Sequence, residues 1–190
     1  VPEFGTGFVR QLLEDTKPTT FAELVRISGL SHGTNVWLNN AQDLVRQGKA
    51  TLVDVIATRD DIMTFLIHKG MEAGDAFRIM EQVRKGRGLK PEDEQLMRKF
   101  DLPPWYIDSC QKISYMFPKA HAAAYVMMAF RIAYFKVHHP EAFYAAALTV
   151  RAEECDAELV MEGREAIRRA VEAVERKGQE GRHREKAVVT

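Results

Sequence analysis

Lys112 to Pro140 read KISYMFPKAHAAAYVMMAFRIAYFKVHHP. The run between Pro118 and Pro140 is rich in alanine and unbranched side chains, which lose little freedom in a helix, and it is bounded by the two residues that a helix interior excludes. The spacing therefore predicts one long helix from Lys119 to His138. At about 100 degrees per residue, Ala122, Val126, Ala129, Phe130, Ala133 and Val137 share one side, an apolar face suited to close packing. His121, Tyr125, Ile132 and Lys136 fall on a second side, and Arg131 and His138 on a third.

Charge sets this stretch apart. The chain balances 27 Lys and Arg against 27 Asp and Glu, whereas residues 112–140 carry four Lys or Arg, three His and no acid. The start of the predicted helix offers free N–H groups and the positive end of the helix dipole, and Lys119 and His121 add charge beside it. A phosphate is the natural ligand for that combination. Tyr125, one turn beyond His121, can stack on a ring or cover a sugar. The other reading is that His121 and Tyr125 are surface residues packed on a neighbouring element.

A second basic cluster, Arg84-Lys-Gly-Arg-Gly88, follows a helical stripe of Ala76, Phe77, Ile79, Met80 and Val83. Its glycines let main chain approach a phosphate closely. It is not a Walker loop, because the order GxxxxGK[ST] is missing. Basic residues after a helix C-terminus are also what the dipole favours, so two readings stand here as well.

The rest of the chain is punctuated for helices and shows no convincing strand alternation. Thr20 to Glu23 reads as a capping box with Gly29 as the stop. The turn cluster Ser31 to Asn35 leads into a helix through Val45 that ends at Gly48. Thr58 to Asp61 opens another helix, which runs to Gly70. Lys90-Pro-Glu-Asp-Glu94 places proline and acids where fixed φ and the dipole favour them, so Glu92, Asp93 and Glu94 read as a dipole match. Leu102-Pro-Pro-Trp105 opens a short helix toward Lys112. An alanine-rich helix runs from Glu141 to Val150, and a polar one from Asp156 to Lys177. The fold class expected is all-α, an irregular multi-helix arrangement, with residues 1–151 as its core and 152–190 as a charged, truncated helical extension. Residues 151–190 mix ten acids with nine Lys and Arg, the composition of a solvated helix.

At 190 residues and 46% hydrophobic, the chain is long enough to bury a core. Arg131 and Lys136 interrupt the longest apolar run, short of the roughly 18 residues of a membrane span, so we expect a soluble, cytoplasmic protein with no membrane partner. Cys110 and Cys155 lie far apart without a CxxC and read as buried thiols. Asp60 and Asp61, side by side on a helix, diverge too far to hold metals together. There is no Ser/His/Asp set and no metal-ligand spacing, so the chain carries no catalytic residues and no metal of its own. The ends, VPEFG without a Met and EKAVVT, lead us to expect a segment of something longer.

Six segments together carry a resemblance: PEFGTGFVRQLL (2–13), FAELVRISGLSHGTNVWLNNAQDL (21–44), RDDIMTFLIHKG (59–70), RIMEQVRKGRGL (78–89), PPWYIDSCQKISYMFPKAHAAAYVMMAFRIAYFKVHHPEAFYAA (103–146) and TVRAEE (149–154). They resemble, in order, the fingers region of the PolC-type bacterial DNA polymerase III alpha subunit. The resemblance loosens after Asp156. It implies part of a DNA-directed DNA polymerase, a nucleotidyltransferase that extends a primer, and a chain inactive alone because the palm carboxylates that hold Mg2+ lie elsewhere. It implies a dNTP held by Arg84, Lys85, Arg87, Lys119, His121 and Tyr125, with Lys112, Arg131 and Lys136 as further DNA or nucleotide contacts. The implied partners are primer-template DNA, the palm, thumb and DNA-binding tail, and replisome subunits including the sliding clamp. The residues alone also fit a free-standing helical module gripping DNA backbone through the same basic stripe, or a scaffold acting through residues 152–190.

Overall fold

A computed structural model describes residues 1–151, 153, 156–174 and 176. Cys155 and residues 177–190 of the polar C-terminal segment lie outside them. The described residues are helical, with no strand among them and one isolated bridge between Thr34 and Tyr115. The chain divides into one unit, Val1–Tyr134, and a second that begins at Phe135. Among the described residues no helix is long and apolar enough to cross a membrane.

The first unit runs through α1 (Gly7–Thr16), α2 (Phe21–His32), an irregular turn at Trp37–Ala41, α3 (Gln42–Arg46), α4 (Arg59–His68), α5 (Ala73–Arg84), α6 (Pro91–Lys99), α7 (Pro104–Lys112) and most of α8 (Lys119–His138). Local chemistry sets most of these boundaries. Thr20 accepts the Glu23 N–H at 3.2 Å and Glu23 accepts the Thr20 N–H at 2.9 Å, the reciprocal capping box expected. Prolines occupy the first positions of α6 and α7, where the missing N–H costs nothing. One apolar core joins Leu12, Ile27, Leu30, Ile56, Ile62, Leu66, Ile79, Met97, Tyr106, Ile107 and Met116, all essentially without solvent exposure. Each such aliphatic side chain contributes about 1.5–3 kcal/mol on leaving water.

Several expectations are corrected. Gly29 does not stop α2, which continues to His32. It is buried inside the helix, and a Cβ there would sit 2.6 Å from the Ala57 carbonyl oxygen and 2.7 Å from Thr58 Cγ2. The glycine is a packing residue that lets the 57–58 backbone lie against α2. The helix expected through Val45 is interrupted, because Leu38 is extended and Asn39 adopts φ 57°. Asp93 is more than a dipole match. It is fully buried, and one of its carboxylate oxygens accepts from Arg78 of α5. The apolar face of α8 is only partly used: Ala122 and Val126 pack on Val25 of α2 and Ala129 is buried, but Phe130 and Val137 are 54% and 71% exposed. Phe130 meets Phe21 edge-on at 5.9 Å.

The second unit contains α9 (Pro140–Val150), α10 (Ala157–Met161) and α11 (164–174). The single polar helix expected from Asp156 is therefore two. Asp156 caps α10 by accepting the Leu159 N–H at 3.0 Å, and Gly163, at φ 91°, breaks the run before α11.

Gly29→Ala separates the two roles of that residue. Helix propensity alone would make alanine the more stable by about 1 kcal/mol, whereas the close backbone approach should make it less stable by about 2 kcal/mol. Urea denaturation of the chain reads the sign.

Candidate functional site

The two basic clusters, separated in sequence, meet in the fold. Gly86, at φ 69°, lies so close to the chain leading into α8 that a Cβ would be 2.3 Å from the Ser114 carbonyl oxygen. The Met116 N–H donates to the Arg84 carbonyl at 3.3 Å, and the Leu89 N–H donates to Gln111 Oε1 at 3.0 Å. The same incoming chain is held on its other side by Thr34, whose N–H donates to the Tyr115 carbonyl at 2.9 Å. The Arg84 turn thus lies beside the residues that open α8.

An aromatic ladder climbs from there. Tyr115 meets Phe117 edge-on at 5.5 Å, Phe117 lies tilted over His121 at 5.0 Å, and His121 over Tyr125 at 4.3 Å. His32 of α2 closes the lower end, edge-on to Phe117 at 5.6 Å, with the Glu3 carboxylate 2.9 Å from its Nε2. Tyr115 and Tyr125 remain 43% and 42% exposed, so both side chains reach solvent at this surface. Offset rings at these separations stabilise one another and present a flat apolar platform with polar tips.

The cations are not bare. Glu81 accepts from the Arg84 guanidinium and lies 2.9 Å from Lys85 Nζ. The Arg84 hydrogen bonds, then that of Lys85, hold its carboxyl down at about 2. Arg87 is exposed and makes no ion pair among the described residues. Lys112 donates to the Asn39 carbonyl at 3.0 Å, while Arg131 is exposed further along α8. Lys136 belongs to the second unit, where it lies 5.8 Å from the Phe143 ring centre.

The start of α8 is anchored by two acids that sequence reasoning weighed as metal ligands. The first N–H of α8 donates to Asp60 Oδ2 at 2.6 Å, and the Lys119 ammonium lies 2.7 Å from Asp61 Oδ1. The Arg59 N–H donates to the Phe117 carbonyl at 3.1 Å. Asp61 Oδ2 accepts the Ala57 and Thr58 N–H groups at 3.2 and 2.9 Å, and Arg26 lies 3.5 Å from Oδ1. Burial would raise the Asp61 carboxyl, but Arg26, Lys119 and the Thr58 amide outweigh it and leave it below the ordinary aspartate range. The available signal was the acid-free stretch itself, whose charge needed acids from elsewhere. Cys110 is fully buried, and burial pushes its thiol up, away from nucleophilic chemistry. Among the described residues no group of three or more His, Cys, Asp or Glu side chains is placed to hold a metal ion.

Cationic side chains, a helix start and half-exposed aromatic rings are the chemistry that suits a polyphosphate beside a flat ring. Residues 1–100 match the sequence profile of the bacterial DNA polymerase III alpha subunit finger domain. The chain belongs to that family. Across all 190 residues it is 61% identical to the DNA polymerase III PolC-type of Caldanaerobacter subterraneus, and 60% identical to those of Halalkalibacterium halodurans and Bacillus subtilis. The chain spans 14%, 13% and 13% of those proteins, respectively. Membership also accounts for the all-helical fold, since the finger domain is a helical subdomain of the polymerase.

Two outcomes test this geometry. Gly86→Ala, which meets both a left-handed backbone and the Ser114 carbonyl, should cost about 2 kcal/mol of stability, read by thermal unfolding. Because the Asp61 carboxyl is lowered on folding, its contribution is present above the ordinary aspartate range and lost as pH falls through the folded value. Melting followed from about pH 6 to about pH 3 should therefore show a shallower acid limb in Asp61→Asn than in the parent chain.

Proposed function

We propose that this chain is the nucleotide-holding fingers of a replicative DNA-directed DNA polymerase, and that the whole protein is a nucleotidyltransferase extending a primer on template DNA. The observation that carries the reading is the packing of the Arg84 to Gly88 turn against residues 114–116, the chain that leads into α8, in a finger-domain chain.

In this reading Arg84, Lys85, Arg87 and Lys119 take the triphosphate oxygens, and the α8 start adds its dipole. The open faces of the His121–Tyr125 stack lie against the sugar and base. Lys112, Arg131 and Lys136 serve as outlying contacts to DNA backbone, where cations act without reading sequence. The base is chosen by pairing with the template. This chain's own residues contribute position and preorganised positive charge, which act most strongly where negative charge grows on transfer. The magnesium ions of the whole enzyme would be held by palm carboxylates outside these residues. The remaining partners are the palm, thumb and DNA-binding tail of the same polymerase, and replisome subunits including the sliding clamp, in the cytoplasm. Residues 1–151 form the working fingers and 152–190 their charged extension.

Lys119→Ala and Arg84→Ala in the complete polymerase test this reading by single-nucleotide incorporation. Lys119→Ala should lower kcat/KM for nucleotide by about 2–4 kcal/mol equivalent. Arg84→Ala should lower it in the same direction. Parental values in both variants would remove the triphosphate assignment.

A further inference from the structure

The ion pair between Lys119 and Asp61 differs from the other pairs on this face. Glu81 holds Arg84 and Lys85 three and four residues along its own helix. Asp61 reaches Lys119 from α4, and its carboxylate is nearly buried, at 12% exposure, while the Lys119 side chain is 45% exposed. The two cations on Asp61 are also unlike each other. Arg26 is 13% exposed, and its guanidinium is tied to the Leu52 and Val55 carbonyls at 2.8 and 2.5 Å, so it cannot leave. Lys119 has a flexible stem, an ammonium in reach of solvent, and no other side-chain partner among the described residues.

We propose that Asp61 is a positioning residue that occupies the ammonium of Lys119 while no nucleotide is bound and yields it to a phosphate of the incoming triphosphate. The inference rests on the triphosphate reading given above. A carboxylate oxygen and a phosphate oxygen are equivalent acceptors for an ammonium, so one can replace the other without rebuilding the site. After the exchange Asp61 is not stranded, because Arg26 and the Ala57 and Thr58 N–H groups still face it. The exchange is asymmetric by construction: the exposed cation moves and the braced one neutralises what it leaves. Asp60, which accepts the Lys119 main-chain N–H, keeps the helix start in place while the side chain changes partner.

The test uses the complete polymerase with primer-template DNA and dATP opposite a template thymine, in pre-steady-state single incorporation. Asp61→Asn retains a carbonyl for the Ala57 and Thr58 amides but releases the lysine, so the apparent dATP dissociation constant should fall about two- to fivefold. That fall should vanish in the Lys119→Ala background. Arg26→Gln leaves Lys119 as the only cation on Asp61 and should raise the constant, an opposite sign that a merely weakened fold would not give to one variant of the two. If Asp61→Asn leaves the constant unchanged or raises it while Lys119→Ala weakens nucleotide, the placeholder role is overturned and the triphosphate reading stands. If Lys119→Ala binds dATP as the parent does, the triphosphate reading itself fails. Should Asp61→Asn not fold, Arg26→Gln alone decides, and an unchanged or lowered constant there overturns the proposal.

Discussion

The start of α8 has no acid of its own to cap it, and the start of α4 supplies what is missing. Three consecutive residues of α4 meet α8 and its lead-in: the Arg59 N–H on the Phe117 carbonyl, Asp60 on the Lys119 N–H, and Asp61 on the Lys119 ammonium. Asp61 in turn gathers Arg26 and the Ala57 and Thr58 amides. Arg26 lies on α2, whose Gly29 lets the same 57–58 backbone lie flush against it. The junction therefore ties α2, α4 and α8 through several polar contacts to one carboxylate, the condition under which a half-buried charged group stabilises rather than costs, although the buried Thr58 hydroxyl makes no hydrogen bond. Every side chain on the candidate face that sits on α8 takes its position from this junction.

Much of the architecture was legible in the sequence, because its signals were local. The Thr20–Glu23 box, the prolines at the first positions of α6, α7 and α9, and the Pro118 and Pro140 limits of α8 each act within a turn of themselves. What failed was local punctuation overruled by packing. Gly29 looks like a stop and is instead a contact point; Asp93 looks like a dipole match and is instead a buried partner of Arg78. In the C-terminal segment the difference runs the other way, since the polar helix expected from Asp156 passes straight through a glycine that takes a left-handed turn at 163. A periodic stripe says which side of a helix is apolar, not how far along its length something covers it, and α8 shows the difference between Ala122 and Val137.

The candidate site divides in the same way. Arg84, Lys85, Arg87, Lys119, His121 and Tyr125 announce themselves by type, and their grouping into two runs was visible. The glycine that brings the runs together was read as permissive toward a ligand, whereas at Gly86 the close neighbour is the chain's own backbone. The carboxylates that balance the cations were invisible as such, because an ion pair between residues 61 and 119 leaves no periodic trace. Tyr115, Phe117 and His32 were missed for a related reason: a ladder of rings drawn from a loop and two helices has no sequence spacing.

The cap on α8 spans 59 residues of chain. Nucleating a helix is the costly step, and a first turn that lacks local help must obtain it from contacts already made. α8 is therefore not an early, self-sufficient element despite its alanines; its first turn is completed only when α4 has docked and the loop between them has closed. During synthesis the first turn of this helix would come into register only after α4, which supports it, is in place. An incompletely folded chain would then display the basic residues as scattered charge, without the fixed positions that α4 gives them.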